Sequence, residues 1–338
     1  MKTKIMTLCV AAFMAAPIGT QAAEVTLRLS YWVPATIAPA KKGIIPWAKD
    51  IEKESNGRIK VETYPAQQLG HAADHYDMAR DGIVDIAWVN PGYSAGRFPI
   101  FSLSEVPFNV ADSIKGAKAI HEWYLPYAAK EMSDVKFCVA HPHGPGALHS
   151  KVQIRVPSDI AGKNIRPAHA TMARFVTQLG GAPISVSAPE VREALARGTA
   201  DAVTLPWGAQ YDFNLTNQVK YHLDMPFYIS TQILVINKKS YAALSPANKK
   251  VIDDHCTPDW SAKIATGWAE DDAAARLRLK ADKSHTFYEP TPAEVGLWRD
   301  AAKGVLQAWK ADIAKKGLDA DAIYAGYIAS LEKNGAKY

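Results

Sequence analysis

Past its first two dozen residues, this chain of 338 amino acids has no apolar run approaching eighteen residues, so nothing there reads as a membrane span. Basic tracts are missing as well. The formal charge of +5 at pH 7 falls to +3 once residues 1 to 23, which hold Lys2 and Lys4 and no acid, are set aside. So mild a surplus argues against nucleic acid as a partner. Cysteine is scarce, with three in the chain. The H-E-x-x-H, G-x-S-x-G, P-loop and G-x-G-x-x-G patterns are all absent, which removes the commonest metalloprotease, serine-hydrolase and nucleotide-binding readings.

What stands at the N-terminus is a leader. Lys2 and Lys4 precede the apolar run I-M-T-L-C-V-A-A-F-M-A-A, and the small-residue end G-T-Q-A-A suits cleavage after Ala22 or Ala23. Residues 1–23 are therefore expected to be a signal peptide, the mature chain of about 315 residues to be soluble and periplasmic, and its length to hold two domains. Cys9 leaves with the leader. Sequence distance does not decide whether Cys138 and Cys256 pair, but the apolar setting V-K-F-C-V-A reads as a free, buried structural thiol at Cys138.

Strands alternate with helices along the rest. Val25–Ser30 and Ile59–Tyr64 have strand periodicity, Pro39 to Ser55 and His71 to Arg80 are helical, and Val84–Val89 is an apolar run closed by Asn90-Pro91. Such alternation predicts α/β architecture with a ligand at the C-terminal ends of the strands. An internal echo accompanies it. A-R-D-G-I-V-D-I-A-W-V-N-P (79–91) and A-R-G-T-A-D-A-V-T-L-P (196–206) each give a helix end, a glycine, an aspartate, an apolar strand and a proline. Gly82 and Gly198 fit left-handed helix caps, and two similar lobes follow. Further on, Phe227–Asn237 is β-rich, Ser245-Pro246 caps a helix, Asp259 to Lys283 is a long helix, and Thr291 to Glu294 is a capping box for a helix running to about Lys315. No low-complexity linker separates the lobes, so the chain is expected to cross between them several times.

The most informative stretch is Arg155–Trp207. There R-V-P-S-D-I-A-G-K-N-I-R-P-A places Arg166 at the end of a short strand after a Gly-Lys turn, a rigid mount for a guanidinium fork that suits a carboxylate. Gln67-Gln68-Leu69-Gly70, the G-x-x-D strand, P-S-D-I-A-G-K-N-I-R, E-V-x-E-A-L-x-x-G and I-N-K-K before Leu244-Ser245-Pro246 occur in the order and spacing of one family. In these motifs the chain resembles the solute-binding proteins of TRAP (tripartite ATP-independent periplasmic) transporters, of the C4-dicarboxylate-binding type. The resemblance implies a two-lobed periplasmic binding protein fold, a cleft between lobes, and a long helix spanning both. It also implies that Arg166 clamps the carboxylate of a small organic acid, which is passed to the small and large subunits of a membrane permease.

Where the chain departs from that pattern it loses polarity. Pro145 stands where many relatives have a second arginine, Leu205 where an asparagine is usual, and Ala188 where a phenylalanine walls the cleft. A monocarboxylate with an apolar or aromatic body, benzoate-like, is the expected ligand, and a different small hydroxy-, keto- or dicarboxylic acid is the alternative within the family. The expected ligand-binding residues are Arg166, Trp207, Asn90, Tyr31, Trp32, Trp88, His149, Tyr211 and Tyr228, with Thr231 on the same cleft segment as Tyr228. Arg155 and Lys163 are read as structural. The expected lobes are residues 24–148 with about 237–280, and 149–236 with about 281–338. A zinc-dependent hydrolase is the competing reading, seeded by His141, His143 and His149 or by His71 and His75, but acidic ligands do not fall at supporting spacing. A periplasmic sensor is another. No metal, cofactor or catalytic residue is expected.

Overall fold

Alternating burial along Val25–Ser30 (β1) and Ile59–Tyr64 (β2) makes them parallel neighbours at one edge of a sheet. The computed structural model describes residues 23–338, so the expected signal peptide lies outside the described residues but for Ala23. The remaining strands are Ile86–Val89 (β3), Val135–Pro142 (β4), Gly146–Ser150 (β5), Asn164–Arg166 (β6), Ala182–Pro183 (β7), Ala202–Leu205 (β8), Tyr221–Tyr228 (β9), Thr231–Asn237 (β10) and Thr286–Tyr288 (β11). They form two sheets, ordered β2-β1-β3-β10-β4 and β11-β9-β5-β8-β6-β7, one for each lobe of an α/β protein.

The sequence echo is structural. β1 and β3 run parallel, as do β6 and β8, and an antiparallel strand (β10 or β5) follows β3 or β8 in each sheet. Gly82 and Gly198 both have φ +76°, a left-handed turn at the helix end that a side chain would strain. Asp85 then takes the backbone N–H of Arg28 at 2.8 Å, and Asp201 takes that of Asn164 at 2.9 Å. The same short pattern opens the same strand in both lobes.

Strand exchange corrects the expected boundaries. β5 follows β4 but joins the second sheet, and β10 follows β9 but joins the first. The chain therefore crosses at His143–Pro145 and at Ile229–Ser230, not at 148 and 236. β10 is buried throughout and apolar over residues 233–236, a strand that either sheet could accept by composition; its antiparallel pairing with β3 and β4 decides. The C-terminus is likewise reassigned. Helix Ala320–Asn334 packs on helix Ser113–Glu131 of the first lobe, where Ser330 bonds Ala119 O at 2.8 Å.

Helix Pro258–Ala281, capped by Thr257, does span both lobes. Ile264 and Trp268 belong to the apolar core around the first sheet, while Ala275 and Leu279 pack on Ala147 and Trp207 of the second lobe. The expected free thiol is also corrected. Cys138 on β4 and Cys256, in the turn before this helix, form a disulfide. Helix Pro246–Asp254 carries Cys256 back to β4, a placement that periodicity alone does not encode.

Candidate functional site

The two crossings are fastened to each other. His143 N–H donates to Ser230 O at 3.3 Å, and Ser230 N–H returns to His143 Nε2 at 2.9 Å. Since the other ring nitrogen, Nδ1, donates to Gly144 O, this imidazole is neutral with Nε2 as acceptor. Burial holds its pKa down at about 4, and the bond to Gly144 O pulls the other way. Just below, Asp272 of the long helix accepts from Gly144 N–H at 3.0 Å and from Gly208 N–H at 2.9 Å, tying one crossing to the second lobe.

Beside the crossings lies a small cavity between the lobes. The first lobe contributes Trp32, Val33, Ile37, Pro39, Trp88, Asn90 and Tyr93, and the second contributes Arg166, Ala168, Ala188, Leu205, Pro206, Ala209, Asp212 and Phe213. His143, Ser230 and Gln232 of the crossing segments and Trp268 of the long helix complete it. Trp32 stacks on Trp88 with centroids 4.8 Å apart and planes 6° from parallel, and Trp268 meets Trp88 edge-on at 5.9 Å. Trp88 is itself fixed by its indole N–H, which donates to His141 Nε2 at 2.9 Å. The lining is thus an apolar, aromatic box with a few polar groups, the usual composition of a small-molecule site.

Arg166 is the main charge in that wall. It is 1% exposed, at the end of β6. Its Nε donates to Val186 O at 3.0 Å and its Nη1 to Thr204 O at 3.3 Å, which fixes the plane of the guanidinium. Nη2 has no protein partner among the described residues. A buried guanidinium nitrogen left unsatisfied costs free energy, and a carboxylate bound there would remove the deficit. Asn90 is arranged similarly. Its Oδ1 accepts from Gly92 N–H at 3.0 Å, which leaves the amide NH2 to donate.

Of the expected site residues, the structure brings together Arg166, Asn90, Trp32 and Trp88, and places the others elsewhere. Trp207 lies outside the lining, stacked on Phe287 at 5.4 Å and packed on Ala275 and Leu279. Tyr31 is fully buried in the first-lobe core. Tyr211 lies under the Arg278 guanidinium, 3.2 Å from its ring centroid. Tyr228 is buried behind the lining, close enough to Arg166 for the guanidinium to favour its phenolate, although burial still drives its pKa well up. Thr231 is buried between two lining residues, Ser230 and Gln232.

His149 is occupied elsewhere too. Its Nε2 donates to Leu205 O at 3.1 Å, so its Nδ1 accepts from His222 Nδ1 at 2.8 Å, and His222 Nε2 accepts from His285 Nδ1 at 2.8 Å. This is a one-way chain of neutral rings. Burial lowers His149 to about 4 and His222 to about 2. The histidines of the zinc reading therefore do not converge. His141, His143 and His149 serve three separate bonds, and His75 is held by His71 O and Ser30. No group of metal-binding side chains is found among the described residues.

Sequence reasoning missed Tyr93, Trp268, His143, Gln232, Asp212 and Phe213 as lining residues. Trp268 reads as one more apolar position on a long helix, and only the helix's course across both lobes brings it to the cavity. Tyr93 had a local signal, since it follows Asn90-Pro91-Gly92 at the end of the echo strand.

Residues 31–312 match the family model for DctP, bacterial extracellular solute-binding protein, family 7. The chain belongs to that family. Solved structures of TRAP solute-binding proteins share the fold. A TRAP solute-binding protein from Rhodoferax ferrireducens T118, crystallised with copurified benzoate, is 31% identical with a TM-score of 0.88, covering 92% of this chain and 98% of its own. A marine metagenome TRAP protein specific for aromatic acid ligands, in complex with 3-hydroxybenzoate, is 28% identical with a TM-score of 0.87, covering 93% and 99%. A TRAP periplasmic protein from Bordetella bronchiseptica, with (R)- and (S)-mandelate, is 28% identical with a TM-score of 0.86, covering 91% and 99%. All three are solute-binding proteins, and so is this member of the DctP family.

Proposed function

We propose that this DctP-family protein works in the periplasm, captures an aromatic monocarboxylate between its lobes, and hands it to the small and large subunits of a TRAP permease without chemically altering it. One observation carries the reading. Arg166 is immobilised by two main-chain carbonyls with Nη2 left over, in the wall of a cavity otherwise built from Trp32, Trp88, Trp268 and small apolar residues. A carboxylate answers the guanidinium, Asn90 supplies a second donor, and a flat ring suits the aromatic wall of Trp32, Trp88 and Trp268. Ala188 and Leu205, both lining the cavity, add space and apolar surface in place of larger or more polar groups.

Export is supported by the leader and by the Cys138–Cys256 disulfide, a bond that persists in oxidising compartments. Lobe closure is supported by the two crossings beside the cavity, which provide short hinges around which the lobes can swing. The test is a thermal-shift and calorimetric panel of benzoates, aryl-acetates, 2-oxo acids and C4 diacids. Benzoates or aryl-acetates should stabilise the protein most. Stabilisation by diacids alone would refute the aromatic pocket.

A further inference from the structure

The cavity has a second charged group, of opposite sign to Arg166. Asp212, at the C-terminal end of the one-turn helix Ala209–Asp212, lines it beside Pro206, Ala209 and Phe213. No protein donor lies within hydrogen-bonding distance of its carboxyl group among the described residues. The neighbouring carboxylates are placed differently: Asp272 is satisfied by Gly144 and Gly208 N–H, and Asp271 faces Lys42 at 3.8 Å. Arg278, the nearby cation, is spread over the Tyr211 ring and makes no ion pair with Asp212. Asp212 is thus a half-buried acceptor, turned to a mostly apolar cavity, with no donor from its own protein.

We propose that Asp212 is the specificity-determining acceptor for a ring hydroxyl, so that the ligand is a hydroxylated aromatic acid whose carboxylate meets Arg166 and whose phenolic O–H meets Asp212. This rests on the aromatic-monocarboxylate reading above and narrows it. A phenol is a strong donor, and O–H···O⁻ bonds are among the shorter and stronger hydrogen bonds. An apolar ring without such a donor would leave a carboxylate partly desolvated and unanswered. The protonation state fits the role: burial, then repulsion from Asp271, pushes Asp212 up to about 7, while Arg278 holds it down. Near neutral pH the group can accept from a phenol, and a bound donor would favour its ionised form.

Isothermal titration of the whole mature protein with benzoate, 3-hydroxybenzoate, 4-hydroxybenzoate and their methoxy counterparts tests the assignment. At least one hydroxybenzoate should bind fivefold or more tightly than benzoate, its methoxy counterpart should not, and the preference should shrink to within twofold in Asp212→Ala. Asp212→Asn, which keeps the shape and a neutral acceptor, covers the case of a misfolded alanine variant and should show an intermediate ratio. Equal affinities in the wild-type protein, or a hydroxyl preference unchanged in both variants, would overturn the role of Asp212. Benzoate binding without hydroxyl preference removes that role alone, whereas failure of every benzoate to bind removes the aromatic-acid reading with it.

Discussion

Ala188 of the second lobe donates its backbone N–H to the phenolic oxygen of Tyr93 of the first, at 3.0 Å. Both residues line the cavity, so this bond joins the lobes at the edge of the site. A bond in that position ties the two walls of the cavity together. The tilted packing of Tyr93 on Trp32, with centroids 5.9 Å apart, makes the same ring part of the aromatic wall.

Tyr93→Phe keeps the ring and deletes the acceptor. A neutral hydrogen bond contributes about 0.5–1.5 kcal/mol, so benzoate affinity should fall roughly two- to tenfold. Most of the change should be in the dissociation rate, because a bond between the two walls resists their separation around a bound ligand. Stopped-flow and calorimetry would check both; an unchanged off-rate would deny the bond a part in holding the lobes closed.

Arg166→Ala should cost at least about tenfold in affinity, since a charge-assisted bond is worth about 1.5–3 kcal/mol. Arg166→Lys should rescue it poorly. A lysine has no planar fork with which to hold Val186 O and Thr204 O while still presenting a nitrogen to the cavity. Full rescue by lysine in calorimetry would mean that charge alone, without the fork, suffices.

Replacing both cysteines, as Cys138→Ser with Cys256→Ser, should lower stability by about 2–4 kcal/mol, the usual value of a native disulfide. The bridge joins two first-lobe segments and closes a long loop, 118 residues in sequence separation, that carries β5 to β9 of the second lobe. Urea unfolding midpoints of the variant, and of the wild-type protein with and without reductant, measure the loss.

Acid should destabilise the protein through its buried histidines. Burial lowers the pKa of eight histidines: His75, His121, His141, His143, His149, His169, His222 and His285. As pH falls below about 6.5 the unfolded chain takes up these protons and the folded protein does not, so stability declines with pH. Burial raises four carboxyls, Glu105, Glu131, Asp212 and Asp272, and these act in the opposite direction. Eight groups outweigh four between about pH 6.5 and 4.5, giving a net loss across that window. Urea midpoints at pH 7, 6 and 5 should fall in that order, and a flat series would contradict it.

The expected strand edges, caps and echo were legible because they depend on neighbours in the chain. Thr291 and Glu294 form their capping box, and Gly82 and Gly198 take the left-handed turns that no other residue adopts cheaply. Arg166 was legible too, since the turn and strand that mount it are adjacent in sequence. The aromatic wall was not. Trp207 follows a strand end and Trp268 sits in mid-helix, yet it is Trp207 that packs on Phe287 and Trp268 that lines the cavity.

By itself, the sequence determined the alternation of elements, the repeated half-pattern and the placing of Arg166 at a strand end, because short-range backbone preference and periodicity encode them. Tertiary structure alone decided which sheet receives β10, that Cys138 meets Cys256, and that Asp212 shares a cavity with Arg166. Each of those depends on pairing between segments far apart in the chain, where an apolar strand or a lone side chain carries no mark of its partner.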